Sequence, residues 1–235
     1  MDGGSAGWRR RFEAEARSRY RAGEPAWKRG ARLDAAVVRS VRRFQVGETG
    51  DGANLIRKAD RAGDDDYRAA VRLFVAEEQN HARMLGLLLH AAGYSTIAGH
   101  WSDAIFVRLR RAAGLRVELL VLLIAEVIAL RYYRALRDGT DDPLTTQVAD
   151  RILADEQRHV PFHCHRLRHC LAELPWPART ALIGLWRVFL AGTTLVVAVD
   201  HGRALRALGV TRTRVVADVI TVSGCIATAL KPMSA

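Results

Sequence analysis

From Ala31 onward, apolar residues recur at three- and four-residue spacing, and no stretch alternates polar with apolar. The chain is therefore expected to be all-α. Val37, Val41, Phe44, Glu48, Leu55 and Ile56 form a first stripe. The second holds Tyr67, Val71, Phe74, Val75, Glu78, Ala82, Leu85, Leu88 and Leu89 and closes at Gly93. Asp64-Asp65-Asp66 before it suits an N-cap and an acidic first turn. The third holds Leu115, Leu119, Leu122, Leu123, Glu126, Ala129, Leu130 and Tyr133 and ends at Asp138-Gly139. The fourth starts at Asp141-Asp142-Pro143, with proline at a first helical position, and carries Val148, Ile152, Glu156, His159, His163 and Leu167. Two further helices are predicted over about 178–208 and 211–230, separated by Gly209.

The turns inside the first and second pairs of stripes are short, so each pair is expected as an antiparallel hairpin. The second helix, at about 28 residues, would be roughly 42 Å long. The unhelical link over 94–102 reaches about 30 Å, enough to run along much of the bundle. The expected architecture is a four-helix bundle of two hairpins with a long crossover, plus two C-terminal helices. Residues 1–30, with Trp8-Arg9-Arg10-Arg11 and Gly23-Glu24-Pro25, show no lasting apolar stripe. They are expected as a basic N-terminal arm, solvated or loosely docked, ahead of a bundle over 31–235 (core 31–172, additional helices 178–230).

Composition narrows the picture. Of the 235 residues, 49% are hydrophobic, which excludes disorder throughout. Lys and Arg number 36 against 25 Asp and Glu, a net charge of +11. That charge suits an acidic protein, nucleic acid or an anionic membrane surface and says nothing about fold. Cys164, Cys170 and Cys225 form no CxxC, which argues against a zinc ribbon or disulfide framework and for a cytoplasmic protein. Residues 1–30 lack the apolar core of a secretory signal. Thr180–Val199 carries only Arg187 as a charge and is long enough to span a bilayer. The central arginine, with glycines and threonines around it, favours a buried helix instead.

Each of the four stripes carries a glutamate: Glu48, Glu78, Glu126 and Glu156. Buried carboxylates without partners are expensive, and four together repel, so a metal cluster between them is the simplest arrangement. Two have a histidine three residues on, in Glu78-Gln79-Asn80-His81 and Glu156-Gln157-Arg158-His159. On a helix, residues i and i+3 share a face and can reach one metal. The lone glutamate precedes its Glu-x-x-His partner by 30 residues in both hairpins, so the ligands lie at matching depths. Glu-x-x-His from two helices and one Glu from each of two others is the pattern of ferritin-like di-metal carboxylate bundles.

The chain thus resembles the ferritin-like di-iron carboxylate superfamily over about residues 31–172. Glu77-Glu78-Gln79-Asn80-His81 and Asp155-Glu156-Gln157-Arg158-His159 are similar to the paired acid-Glu-x-Arg-His motifs of acyl-carrier-protein desaturases and bacterial multicomponent monooxygenases. Asn80 departs from that pattern. Gly47-Glu48-Thr49-Gly50, and Ala125-Glu126-Val127-Ile128 followed by Tyr132, are similar to segments of demethoxyubiquinone hydroxylases. The resemblance implies two iron ions, or a manganese–iron or manganese pair, held by Glu48, Glu78, His81, Glu126, Glu156 and His159. Glu78 and Glu156 would bridge or chelate, and Glu77 and Asp155 would hold the histidines of the opposite helix. His163, four after His159, stays open as a third histidine ligand, an outer hydrogen-bond donor or a core residue.

The implied activity is O₂-dependent oxidation (hydroxylation, desaturation or N-oxygenation) of an organic substrate, with an external electron donor. A ferroxidase or peroxide-scavenging protein, and a non-catalytic bundle stapled by metal, are the alternatives. An acidic carrier protein with an acyl chain fits the charge; so do anionic lipid and RNA, and the oligomeric state is open. Gly47, Gly50 and Gly52 interrupt a helical pattern, which suggests room for an apolar pocket beside Glu48, lined by Phe44, Phe74 or Leu122. Pro161 is expected to disturb the fourth helix. Tyr133, on the stripe of Glu126, is a core aromatic or a redox group, and Asp200-His201 is a candidate to approach the site.

Overall fold

A computed structural model describes residues 4–111 and 114–230, and among them every regular element is helical. The elements are α1 (Ser5–Ala22), a 3₁₀ turn (Trp27–Arg29), α2 (Ala35–Glu48), α3 (Ala53–Asp60), α4 (Asp65–Ala91), α5 (Trp101–Arg111), α6 (Leu115–Asp138), α7 (Pro143–Ala172), α8 (Trp176–Asp200), α9 (Gly202–Ala207) and α10 (Arg212–Ala229). Aspartates start three of the long helices. Asp34 accepts from Ala36 N, Asp64 from Tyr67 N and Asp142 from Thr145 N, each satisfying an otherwise unpaired first-turn donor. Pro143 opens α7, where its missing N–H costs nothing. Pro161 leaves α7 one continuous helix, contrary to the expected disturbance.

Contacts at the helix ends fix the directions. Ala31 N donates to Ala91 O at 3.0 Å, so α2 begins where α4 ends. Arg116 at the start of α6 pairs with Glu173 beyond the end of α7, and Arg137 at its end pairs with Asp150. Both pairs are antiparallel. Residues 92–111 lead away from the Ala31 end, and α6 begins at the far end, where Asn54 meets Glu118. The connection is not the unhelical link expected over 94–102, because α5 starts inside it at Trp101.

The core divides into two apolar halves. One gathers Phe12, Tyr67, Phe74, Leu119, Phe162 and Leu167; the other gathers Val41, Leu88, Tyr133, Leu136, Ile152 and Leu205. On α4 and on α7 the two halves are separated by a short polar interval, Glu77–His81 and Asp155–His159. The buried polar layer therefore sits mid-bundle, capped by hydrophobic packing above and below.

Three expectations need correction. Residues 5–22 are not a loose arm. They form α1, which packs along α4 and places Trp8 and Phe12 in the core; Phe12 meets Phe162 edge-on, with ring centroids 5.1 Å apart. Its apolar contacts are too few to make a stripe, because its other faces carry the charges that pair with neighbouring helices. The first long helix is also not continuous. α2 stops at Glu48, and α3 restarts after Gly52, whose φ of 63° is left-handed and whose absent Cβ would lie 2.5 Å from Val75.

Finally, α8 is not a buried helix. Trp186, Leu190, Thr194 and Ala198 face inward, but Leu185, Val188, Phe189, Leu195, Val196 and Val199 are exposed. It is the one described helix long and apolar enough to cross a membrane.

The docked α1 generates a prediction. Phe12→Ala should lower stability by about 3–5 kcal/mol, the usual cost of removing a buried aromatic ring. Urea denaturation measures it, and an unchanged midpoint would show that α1 contributes nothing to the core.

Candidate metal centre

Four helices bring the polar layer together. Glu48 is the last residue of α2, Glu78 and His81 lie one turn apart on α4, Glu126 is on α6, and Glu156 and His159 are one turn apart on α7. Their ligand atoms form two groups, each with all atoms within 4.8 Å of one another: Glu48, Glu78, His81 and Glu156, and Glu78, Glu126, Glu156 and His159. Each group could hold a metal ion, and both contain Glu78 and Glu156. Glu78 is partly exposed; the other five are buried.

The histidines are held crosswise. His81 Nε2 on α4 is 3.1 Å from Asp155 Oδ2 on α7, and His159 Nε2 on α7 is 3.0 Å from Glu77 Oε2 on α4. An ionised carboxylate only accepts, so each Nε2 donates to it. Neutral imidazoles, as metal binding needs, would present each Nδ1 lone pair inward, whereas in the metal-free chain His159 Nδ1 lies 3.2 Å from Glu126 Oε2. His81 Nδ1 has no hydrogen-bond partner, nor do Glu78 Oε1 and Glu156 Oε2, although all three atoms are buried. Buried lone pairs facing one another across 3.3–3.6 Å are what a cation would satisfy.

The outer acids are themselves held. Arg158 reaches back one turn to Asp155 and to Glu77 Oε1 at 3.5 Å. The corresponding position on α4 is Asn80, which instead accepts from Arg83. Arg19 of α1 stands in for it: its Nη1 is 2.7 Å from Glu77 Oε1 and 2.9 Å from Asp155 Oδ1. Sequence reading missed Arg19 because nothing local marks an arginine 58 residues before its partner. The only available hint was the missing arginine in the first motif. Tyr133 was weighed only as a core aromatic or redox group. It donates its hydroxyl to Glu48 Oε1 at 2.6 Å and fixes that carboxylate from outside the layer.

His163 lies fully buried beside Glu126, Nε2 to Oε1 3.6 Å, and belongs to neither four-residue group. Asp200-His201 lies elsewhere, with His201 bonded to Ser40. His165 is half-buried against Trp8.

Electrostatics record crowded negative charge. Burial and the neighbouring Glu78 push Glu48 well above the carboxylate range; burial and Glu126 push Glu156 up to about 7. Burial opposes the charging of His81 and His159, but the carboxylates around them outweigh it and raise both well above an ordinary imidazole. Burial would raise Glu126 and Asp155 too. His159 and His163 hold Glu126 well below the usual range, and His81, Arg19 and Arg158 hold Asp155 down.

A cavity of about 40 Å³ reaches Glu48 and Glu78 from the break between α2 and α3. Leu55, Phe74, Val75 and Leu122 line it, as expected in part, but so do Asn54, Arg110 and Glu118. Phe44 does not; it stacks on Tyr132, ring centroids 3.6 Å apart. The expected wholly apolar pocket is thus a small one of mixed lining.

No protein-family model matches the chain, and no curated protein is similar to it.

Two predictions follow from the charges. Glu156, His81 and His159 bind protons more tightly folded than unfolded in the metal-free chain. Glu156 contributes stability that is full below about pH 4.3 and lost as pH rises through about 7. The histidines act in the same direction from above their unfolded value near 6.5. Glu126 and Asp155 are already ionised there and contribute nothing to the slope. Below about pH 6.5 the depressed His201 acts the opposite way, so the melting temperature of the metal-free chain should fall between about pH 7 and pH 8, where His201 is neutral folded and unfolded; a rise over that window would contradict the charge assignment. Arg19→Gln should weaken metal binding by about 10–100-fold, as loss of an outer partner does. Adding Asn80→Arg, which returns a guanidinium one turn from Glu77, should restore it in a metal titration.

Proposed function

We propose that this chain is a ferritin-like dinuclear carboxylate oxidase that uses O₂ to oxidise an organic substrate. The observation that carries the reading is the pair of four-residue groups sharing Glu78 and Glu156, with their histidines braced crosswise by Asp155 and Glu77. Four carboxylates and two neutral imidazoles balance two divalent ions, and the donor set suits iron or manganese. Two ferrous ions bound there would supply two electrons to O₂.

The protein's own part is positional. Glu48 and His81 would hold one ion, Glu126 and His159 the other, and Glu78 and Glu156 both. Tyr133 keeps Glu48 oriented, while Glu77 and Asp155 fix each imidazole with its Nδ1 inward. Arg19 and Arg158 pair with those acids and hold them in place as acceptors. Phe74 packs edge-on against His159 at 4.7 Å and Phe12 lies 6.3 Å from it, excluding water from that side. The side of Glu48 and Glu78 stays accessible through the cavity at the α2–α3 break. A protein-independent reductant must return the electrons, and the basic surface suits an acidic donor or carrier protein in the cytoplasm.

A second reading has its own observation. The cavity holds only about three waters at 10–15 Å³ of accessible volume each, and its lining is mixed. That size suits O₂ and small ions, and favours a ferroxidase over an enzyme with a bulky substrate.

The reading predicts two iron or manganese ions per chain by elemental analysis, and loss of at least one in Glu156→Ala. Full loading of Glu78→Ala/Glu156→Ala would end it. Gly50→Leu separates the two reactions: a Cβ at Gly50 has only Arg110 Nη2, 3.6 Å away, as a neighbour, so the added side chain fits at the cavity mouth. Substrate oxidation should be lost with both metals retained, whereas oxidation of added ferrous iron persisting as the sole activity would select the ferroxidase.

A further inference from the structure

A second recess lies between α2 and the α8–α9 corner, two helical turns before Glu48 on α2. Its volume is about 190 Å³, and its polar lining is Arg39, Ser40, Arg43, Asp200, His201 and Arg203. Three guanidiniums thus face one carboxylate. That carboxylate is committed: Asp200 Oδ2 lies 2.6 Å from Arg43 Nη1, and Arg43 also donates to the Asp200 carbonyl at 3.2 Å. Arg39 and Arg203 have no ion-pair partner among the described residues, so two positive charges are left unbalanced at one opening.

The floor is polar and preformed. Ser40 Oγ and His201 Nδ1 are 2.7 Å apart and both residues are buried. Burial holds the imidazole down to about 4, so the ring is neutral and adds no further charge; its Nδ1 is engaged by Ser40 and its Nε2 lies 3.5 Å from Asp200 Oδ2. Phe44 packs edge-on against His201 at 5.1 Å and fixes the ring from behind. Nothing in the metal centre uses these groups.

We infer that this recess is a binding site for a phosphate group, free or as a small monoester. A dianion matches the two unbalanced guanidiniums, and planar guanidinium forks match the oxygens of a phosphate. At the same roughly 10–15 Å³ per water the recess takes more than about ten waters, room for the phosphate and a short organic stem. Ser40, Phe44 and Glu48 lie four residues apart on one face of α2, so the ligand would rest against the packing that backs the metal centre.

Calorimetric titration of the metal-loaded protein at constant chloride tests the site, with inorganic phosphate in one arm and glycerol 3-phosphate in the other. Saturable one-to-one binding is expected in at least one arm, weakened about tenfold or more in Arg39→Gln/Arg203→Gln. Both arginines are exposed, so the double variant should fold normally. The arms separate free phosphate from a monoester, and the His201 ring resonances should shift in the arm that binds. No saturable binding by about 10 mM in either arm would overturn the proposal. So would equal affinity in the double variant, which would place the anion on the metals.

Discussion

Two sets of three glutamates, sharing Glu78 and Glu156, each bring carboxylate oxygens within 4.8 Å of one another at the centre of a helical bundle, between two halves of hydrophobic core. At that separation two like charges repel by about 3–4 kcal/mol even at an effective dielectric near 20. Protons can relieve part of this, which is why Glu48 and Glu156 are pushed upward and the histidines hold their protons. Two divalent ions relieve all of it. The remaining architecture follows from that layer: helices long enough to cap it with apolar packing, and side chains outside it that hold every ligand from behind.

The bracing is pseudo-symmetric, and its one asymmetry explains an otherwise puzzling helix. α4 and α7 each supply an inner glutamate, an inner histidine and an outer acid for the other helix's histidine. α7 also supplies Arg158, whereas α4 has Asn80. The missing charge comes from α1, where Arg19 spans both outer acids while Phe12 and Trp8 anchor the helix in the core. A segment whose composition suggests a solvated arm is thereby part of the site's support.

The break after Glu48 is the second functional asymmetry. Ending α2 there frees the chain to turn through Gly52 and opens the cavity on the Glu48 and Glu78 side alone. On the His159 side Phe12 and Phe162 pack against each other beside the layer. The small and partly polar opening would limit what can reach metals held in the layer.

Apart from Glu77 and Asp155, which only the family resemblance implied, the chain's pattern alone determined the all-α character, the limits of α4, α6 and α7 to within a few residues, and the six convergent side chains. These are local or periodic signals: a stripe, an i to i+3 pair, an aspartate before a proline. The continuity of α2 was misread because glycines within a stripe do not say where the chain turns. The burial of α8 was misread because an apolar helix looks the same whether its outer face is covered or bare. Arg19 against Glu77 and Asp155, Tyr133 against Glu48, and the arginine recess at Ser40 and His201 join residues 58 to 161 positions apart. No periodicity links such residues, because their meeting depends on how helices cross and which faces are left to touch. Only the tertiary packing decided them.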